Sequence, residues 1–427
     1  MNAPSPLPPR LRVAMVSMHT SPLATLGSTN AGGMNVYVRD LAIHVARSGS
    51  PVDVFTRRRN PETPLIEHLA PGVRVVNIDV GPPGDLAKND LFDLIRPFAE
   101  ACVLFALEDG CRYDVIHAHY WLSGCVAEHL RAFWEIPFSL MFHTTADMKN
   151  RVLGTADLES VLRSETEHRL VSSADSIIAA NPDERSDLIM RQGAADEKVC
   201  TIPPGVDLDL FRPLDYHESR RELGWNIHER VVLFVGRIDP IKGIDTLIES
   251  MSLVQEPQLQ YVLIGGDLDE EGQPTGALAA VRDRVNALGM SRRCRYLGSQ
   301  PQSLLPLFYS AADVVAVPSR YESFGLVAVE AMATGTPVIA SSVGGLTFTV
   351  SDYRNGFLVP YGNATALARA IDKLLEDDDL REKLGFNAAE DAQRFSWDSV
   401  AEQVIHVYER LADGFRADLC CAEEIYA

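Results

Sequence analysis

Ala312-Asp-Val-Val-Ala-Val-Pro-Ser-Arg-Tyr-Glu-Ser-Phe-Gly-Leu-Val-Ala-Val-Glu330 contains an apolar run, a glycine-bearing turn and a helical pattern in direct succession. Ala312 to Pro318 reads as a buried strand, and Leu326, Val329 and Ala333 recur at helical spacing until Gly335-Thr-Pro337 ends the helix. A strand that enters a helix through a turn at Gly325 gathers unpaired backbone N–H groups and the positive end of the helix dipole, which suits a phosphate or diphosphate. Glu322 and Glu330 bracket that turn. Carboxylates beside an anion site need another partner, and sugar hydroxyls, which donate charge-assisted hydrogen bonds to them, are one. Taken alone, the same pair also fits the acid and base of a glycosidase.

The alternation of strand and helix continues outward from this unit. In the C-terminal half of the chain, on both sides of this unit, strands are predicted at 230–236, 261–265, 295–297, 337–340 and 357–359, with helices at 243–253, 281–288 and 364–375. Toward the N-terminus, strands are predicted at 12–17, 52–56, 73–78, 114–117, 138–143, 176–180 and 199–202. Gly32-Gly33 opens a helix carrying Tyr37, Val38, Leu41 and Val45, and a second helix spans 91–107. Two successive βα arrays imply an α/β protein with two doubly wound, Rossmann-like parallel sheets, whose ligands sit at the carboxyl ends of the strands. Residues 1–10 are expected to form a proline-rich, disordered lead-in, 11–210 the first domain, 211–229 a linker and 230–395 the second domain. A C-terminal helix at 396–413 and a tail at 414–427 complete the division.

At 427 residues the chain is too long for one ordinary core. A net charge of −20 disfavours nucleic acid and anionic membranes as partners, so an anionic substrate needs a local cluster of Arg and Lys. Seven scattered cysteines without metal spacing indicate a reduced, cytoplasmic compartment. No apolar run reaches membrane-spanning length, so stable membrane insertion is not expected.

Other constellations fall at predicted strand ends. Arg237-Ile-Asp-Pro-Ile-Lys242-Gly243 places two cations across a proline-containing turn, where they can converge on a diphosphate whose charge grows in the transition state, although a solvated charged loop has the same composition. His143, followed by Thr144, closes a buried strand and fits either a ligand contact or a satisfied structural histidine. His117 and His119 share one face of a strand, and without a third ligand of matching pattern a structural or substrate-contact role outweighs a metal site. Gly32-Gly33-Met34-Asn35 allows a close backbone approach to a ligand, or is an ordinary tight turn. It is not G-x-G-x-x-G, which argues against a dinucleotide cofactor.

Together, Glu322 and Glu330 with Phe324-Gly325, Arg237 with Lys242, and Gly32-Gly33 resemble the family 4 retaining glycosyltransferases of the GT-B fold, over about residues 11 to 411. The resemblance implies two Rossmann-like domains facing across a deep cleft and a retaining hexosyl transfer. In its terms Glu322 contacts the donor sugar and Glu330 the ribose, while the backbone of Phe324, Gly325 and Leu326 meets sugar and diphosphate. Gly33 also falls on the donor side. Arg237 and Lys242 stabilise the leaving diphosphate, and His143 contacts the sugar near the reacting centre. The C-terminal helix crosses back to the first domain, placing Trp397 near the hinge.

The first half further resembles the subgroup that glycosylates inositol 3-phosphate in mycothiol synthesis and, in part, sucrose-phosphate synthases. The shared segments are Thr20-Ser-Pro-Leu23, Ala31 to Tyr37, Gly81-Pro82, Leu86-Ala-Lys88, His119 to Gly124 and Lys149-Asn150. That likeness places Asn35, Lys88, Tyr120, Thr144 and Arg163 on the acceptor, the last four around its phosphate. Two residue departures stand out, Leu140 in place of a histidine and Asp352-Tyr353 in place of Asp-Gly, and the segment 151–163 before and including Arg163 is differently spaced. The expected substrates are a UDP-sugar, UDP-glucose or UDP-N-acetylglucosamine, and a phosphorylated acceptor such as inositol 3-phosphate or fructose 6-phosphate. No cofactor is obligatory, Mg2+ is not expected to be essential, and a homodimer is left open. Rival readings are a lipid or polysaccharide acceptor, a nucleotide-sugar 2-epimerase of the same fold, and a non-catalytic nucleotide-sugar binder.

Overall fold

Val13-Ala-Met-Val16 and Val314-Val-Ala-Val317 are buried along their whole length, as expected of parallel strands covered by helices on both faces. They are central strands of two separate sheets in a computed structural model that describes residues 11–24, 32–153 and 160–414. The lead-in 1–10 and the tail beyond Gly414 lie outside the described residues.

The first unit holds strands β1 (Val13–Val16), β2 (Val52–Arg57), β3 (Ile66–Ala70), β4 (Val73–Ile78), β5 (Val115–His119), β6 (Phe138–Met141), β7 (Ser176–Ala179) and β8 (Val199–Thr201). Their order is β3-β4-β2-β1-β5-β6-β7-β8. All pairs are parallel except β3 with β4, an antiparallel edge not anticipated from the half-polar Ile-Glu-His-Leu-Ala. In register, Val13 pairs with Val52 on one side and Val115 on the other. Because β2 and β5 leave β1 in opposite directions, the switch point that favours ligand binding lies at the carboxyl ends of β1 and β5.

The second unit holds β9 (Arg230–Val235), β10 (Leu259–Ile264), β11 (Cys294–Tyr296), β12 (Val314–Val317), β13 (Val338–Ser341) and β14 (Gly356–Val359), all parallel. Their order, β11-β10-β9-β12-β13-β14, puts its switch point at the ends of β9 and β12. Residues 204–396 belong to this unit, and the helix Trp397–Ala412 belongs to the first. There Trp397 packs edge-on to Tyr37 at 5.5 Å between ring centres, and the Tyr408 hydroxyl lies 2.7 Å from Nδ1 of His117.

The segment expected as a linker carries a helix, Tyr216–Glu222. Its buried Arg220 donates to the Asp313 carboxylate at 2.7 Å and to the Ala311 carbonyl at 2.9 Å. Asp313 also accepts from Val231 N–H at 2.7 Å and from Arg230 at 3.2 Å, so its buried charge is fully partnered. At the Asp352-Tyr353 departure, Tyr353 adopts a φ of 59°, the left-handed conformation that glycine accepts most readily. Leu140, the other departure, packs in the core of the first sheet.

Candidate active site

Within the first unit, the loop after β1 is fastened to the next helix by Asn35. Its Nδ2 donates to Thr20 Oγ1 at 2.6 Å and to the Ser21 carbonyl at 2.7 Å, while its Oδ1 accepts from Gly32 N–H at 3.0 Å. Gly33 is the first residue of the helix Gly33–Arg47. Beside Thr20, the His19 ring lies 4.5 Å from that of Tyr120, and the Arg163 guanidinium lies over the Tyr120 ring, 4.8 Å from its centre. Arg163 also donates to the Thr144 carbonyl at 2.6 Å. Asn35, Tyr120, Thr144 and Arg163 therefore belong to one cluster at the carboxyl ends of β1, β5 and β6. Lys88 opens the short helix Lys88–Phe92 after the loop 81–87.

Two residues of this region hold backbone conformations that cost a side chain energy. Tyr120 has a φ of 79° and His143 a φ of 60°, at the ends of adjacent parallel strands. Left-handed backbone at non-glycine residues costs about 1–3 kcal/mol each, and such strain concentrates where a side chain must be aimed at a ligand. Behind His143 lies a buried imidazole series. Its Nε2 is 3.2 Å from Nδ1 of His119, whose ring is 4.2 Å from that of His117. Burial pushes His117 and His143 down to about 3 and His119 well below its ordinary value, so all three are neutral near pH 7. Among the described residues no group of three His, Cys, Asp or Glu is arranged to hold a metal ion.

In the second unit, the turn after β12 is shaped by glycines. A Cβ at Gly344 would fall 2.3 Å from the Glu322 carbonyl oxygen, and one at Gly345 would fall 2.2 Å from that of Ser323. Gly345 N–H donates to the Glu322 carbonyl at 2.9 Å. Gly325, with a φ of 92°, caps the helix Leu326–Ala333, and Phe324 is buried against Phe395. Thr349 Oγ1 donates to the Phe324 carbonyl at 3.0 Å. Glu330 is buried one turn into the helix, where its Oε2 accepts from the Tyr309 hydroxyl at 2.8 Å.

The loop after β9 packs against this turn. Gly243 has no room for a Cβ, which would fall 1.9 Å from the Pro318 carbonyl oxygen, and Arg320 N–H donates to the Ile241 carbonyl at 2.7 Å. This approach brings Lys242 Nζ into an ion pair with Glu322 Oε1. Arg237 is half-exposed, 3.6 Å from Asp239. Thus Arg237, Lys242, Glu322, Phe324, Gly325, Leu326 and Glu330 assemble at the switch point of the second sheet. Sequence reading passed over His19 and Arg59 in the first unit; the only available signal was the run Arg57-Arg58-Arg59 at the end of β2, a pattern that usually marks a solvated surface.

Among the described residues no helix is long and apolar enough to cross a membrane. A family model described as "Glycosyl transferase 4-like domain" matches residues 32–205, and one described as "Glycosyl transferases group 1" matches 215–391. The chain is 40% identical over 428 residues to the D-inositol 3-phosphate glycosyltransferase of Corynebacterium diphtheriae, covering 98% of each protein. Its identity to the protein of the same name from Mycobacteroides abscessus is 40%, over 96% of this chain and 91% of that one. Among solved structures, sucrose-phosphate synthase from Thermosynechococcus elongatus superimposes with a TM-score of 0.87 at 36% identity, covering 95% of this chain and all 100% of that one. Anabaena Alr3699/HepE shares the fold, with a TM-score of 0.74 at 24% identity over 94% of this chain and 100% of that one. Similarity along nearly the whole chain, on two parallel α/β sheets, places this protein among the GT-B glycosyltransferases, in the family that includes the D-inositol 3-phosphate glycosyltransferases.

Proposed function

We propose that the protein transfers a hexosyl unit, with retention of configuration, from a UDP-sugar to a phosphorylated polyol or sugar. The observation that carries this reading is the Lys242–Glu322 pair, held at a turn whose neighbours Gly344 and Gly345 leave no space for a side chain. A carboxylate for sugar hydroxyls next to a cation for a departing diphosphate suits transfer from a nucleotide sugar better than hydrolysis, which uses only the carboxylates. The donor sugar is UDP-glucose or UDP-N-acetylglucosamine. The acceptor class follows from the names of the relatives, D-inositol 3-phosphate glycosyltransferase and sucrose-phosphate synthase, and from the cluster at the ends of β1, β5 and β6.

In this reading Glu322 holds the donor sugar, and Glu330, oriented by Tyr309, holds the ribose. Gly33 and the backbone of Phe324, Gly325 and Leu326 line the donor, while Arg237 and Lys242 meet the charge that develops on the diphosphate. In this reading no side chain forms a covalent intermediate, and the departing diphosphate accepts the acceptor proton on the same face of the sugar. Neutral His143 contributes a hydrogen bond to the sugar rather than a charge. Asn35, Lys88, Tyr120, Thr144 and Arg163 position the acceptor. Because two side-chain cations serve the diphosphate, no metal ion is obligatory, and activity should persist in a chelator.

The test is an activity matrix of both donors against inositol 3-phosphate and fructose 6-phosphate, with the anomeric configuration of the product read by NMR. An α-linked product from at least one phosphorylated acceptor is expected. A β-linked product overturns the retaining mechanism. Conversion of UDP-N-acetylglucosamine to its manno isomer without acceptor, and no transfer, would assign the protein as an epimerase.

A further inference from the structure

We propose that Arg59 is the second cation of the acceptor-phosphate site, and that it sets the preference for phosphorylated over unphosphorylated acceptors. This rests on the acceptor reading above and adds a residue to it. A phosphate dianion calls for about two compensating charges. Arg163, one of the two cations expected there, already has a counter-charge: it and Glu167 are both buried, with Nε donating to Oε1 at 2.6 Å. The compensated pair still shapes the site through Tyr120 and the Thr144 carbonyl, but it brings no net charge.

The run Arg57-Arg58-Arg59 supplies what is missing, because its three guanidinium groups do three different things. Arg57 turns inward and donates to the carbonyls of Pro82, at 2.7 Å, and of Gly84, fixing the loop that leads to Lys88. Arg58 closes its own turn by donating to the Thr63 carbonyl at 2.7 Å. Arg59 instead reaches the cluster, with Nη2 3.5 Å from the Thr20 Oγ1 that Asn35 also holds. Its backbone carbonyl accepts from Gly84 N–H at 2.8 Å, so Arg59 is fixed to both the Thr20 loop and the loop before Lys88. The charge partner of Arg59 is Asp85, whose side chain is 63% exposed. An exposed pair of this kind is held weakly, so a phosphate can displace the carboxylate, whereas the buried Arg163–Glu167 pair resists exchange.

The experiment compares Arg59→Gln, Arg59→Lys, Asp85→Asn and Lys88→Ala in the full chain, using inositol 3-phosphate and unphosphorylated inositol as acceptors. Arg59→Gln is expected to raise KM for the phosphorylated acceptor about tenfold or more while leaving kcat within about twofold, from the loss of one charge-assisted contact. Turnover of unphosphorylated inositol should not change, and Arg59→Lys should restore part of the preference. Asp85→Asn should lower KM for the phosphorylated acceptor by releasing Arg59. An unchanged preference in Arg59→Gln with a lowered one in Lys88→Ala overturns the role of Arg59 and leaves the acceptor reading standing. If neither variant alters the preference, the acceptor reading itself fails. An equal loss with both acceptors, or a raised KM in Asp85→Asn, would make Arg59 a loop-holding residue only.

Discussion

Lys242 and Glu322 are each other's nearest charge, and their side chains are only 23% and 14% exposed. Such a pair aims both groups: it holds the ammonium in place and fixes the carboxylate beside it. Lys242→Ala removes the cation that the proposed function assigns to the leaving diphosphate and strips Glu322 of its ion-pair partner. Losing one preorganised group of this kind costs about 100- to 1,000-fold in kcat. Initial-rate kinetics should show that loss with a much smaller change in donor KM; turnover within a fewfold of the parent would mean that the pair serves folding alone. The identities and strand-end positions of these two residues were readable from the sequence, because a strand–turn–helix pattern fixes where a loop residue emerges. Their contact was not, since it depends on Gly243 meeting the Pro318 carbonyl and on Gly344 and Gly345 meeting the backbone of Glu322 and Ser323. Packing of backbone on backbone leaves only a glycine as its trace. Arg163 shows the converse: its place in the cluster follows from the resemblance and its spacing from Glu167 permits an ion pair, but the burial of that pair appears only in three dimensions.

At the scale of elements, apolar runs announce β9, β10, β12 and β13 of the second sheet, whereas the helix Tyr216–Glu222 escapes notice. It has seven residues, Tyr-His-Glu-Ser-Arg-Arg-Glu, and no apolar stripe. What it buries is an arginine. Patterns based on hydrophobic spacing count Arg220 as solvent-facing, yet it sits with 1% exposure between Asp313 and the carbonyls of Ala311 and Asn226. The edge strand β3 escapes for a related reason, since its residues are only partly covered. Arg220→Ala should therefore cost far more than its place in a polar helix suggests. Removing one partner of a buried ion pair typically costs about 3–5 kcal/mol, and Arg230 at 3.2 Å compensates Asp313 only in part. Urea unfolding followed by a signal from the second unit should show a loss of about 3 kcal/mol; a change under about 1 kcal/mol would mean that Arg230 and the Val231 N–H suffice.

At the scale of the whole molecule, the chain's charge of −20 draws attention to its acidic surface, but three histidines and one glutamate of the first unit are expected to tie its stability to pH. His117, His119 and His143 are held neutral by burial, with His117 and His143 lowered to about 3 from an ordinary 6.5. Below about pH 6.5 the unfolded chain gains protons at these three sites that the folded chain refuses, so stability falls as pH falls. Glu184 acts in the opposite sense: burial raises its carboxyl from 4.5 to about 7, so between those values the folded state holds the extra proton and stability falls as pH rises. Three histidines against one carboxyl leave a net difference of about two protons, or roughly 2–3 kcal/mol per pH unit between about pH 6 and 5. A domain stable by about 5–15 kcal/mol loses a large part of its margin within two such units. The midpoint of thermal unfolding of the first unit, measured by calorimetry from pH 7.5 down to 4.5, should be nearly level above pH 7 and drop steeply below about 6.5. A midpoint that holds steady to pH 5 would mean that the imidazole series accepts protons without unfolding, and that His143 is free to carry a positive charge in the site.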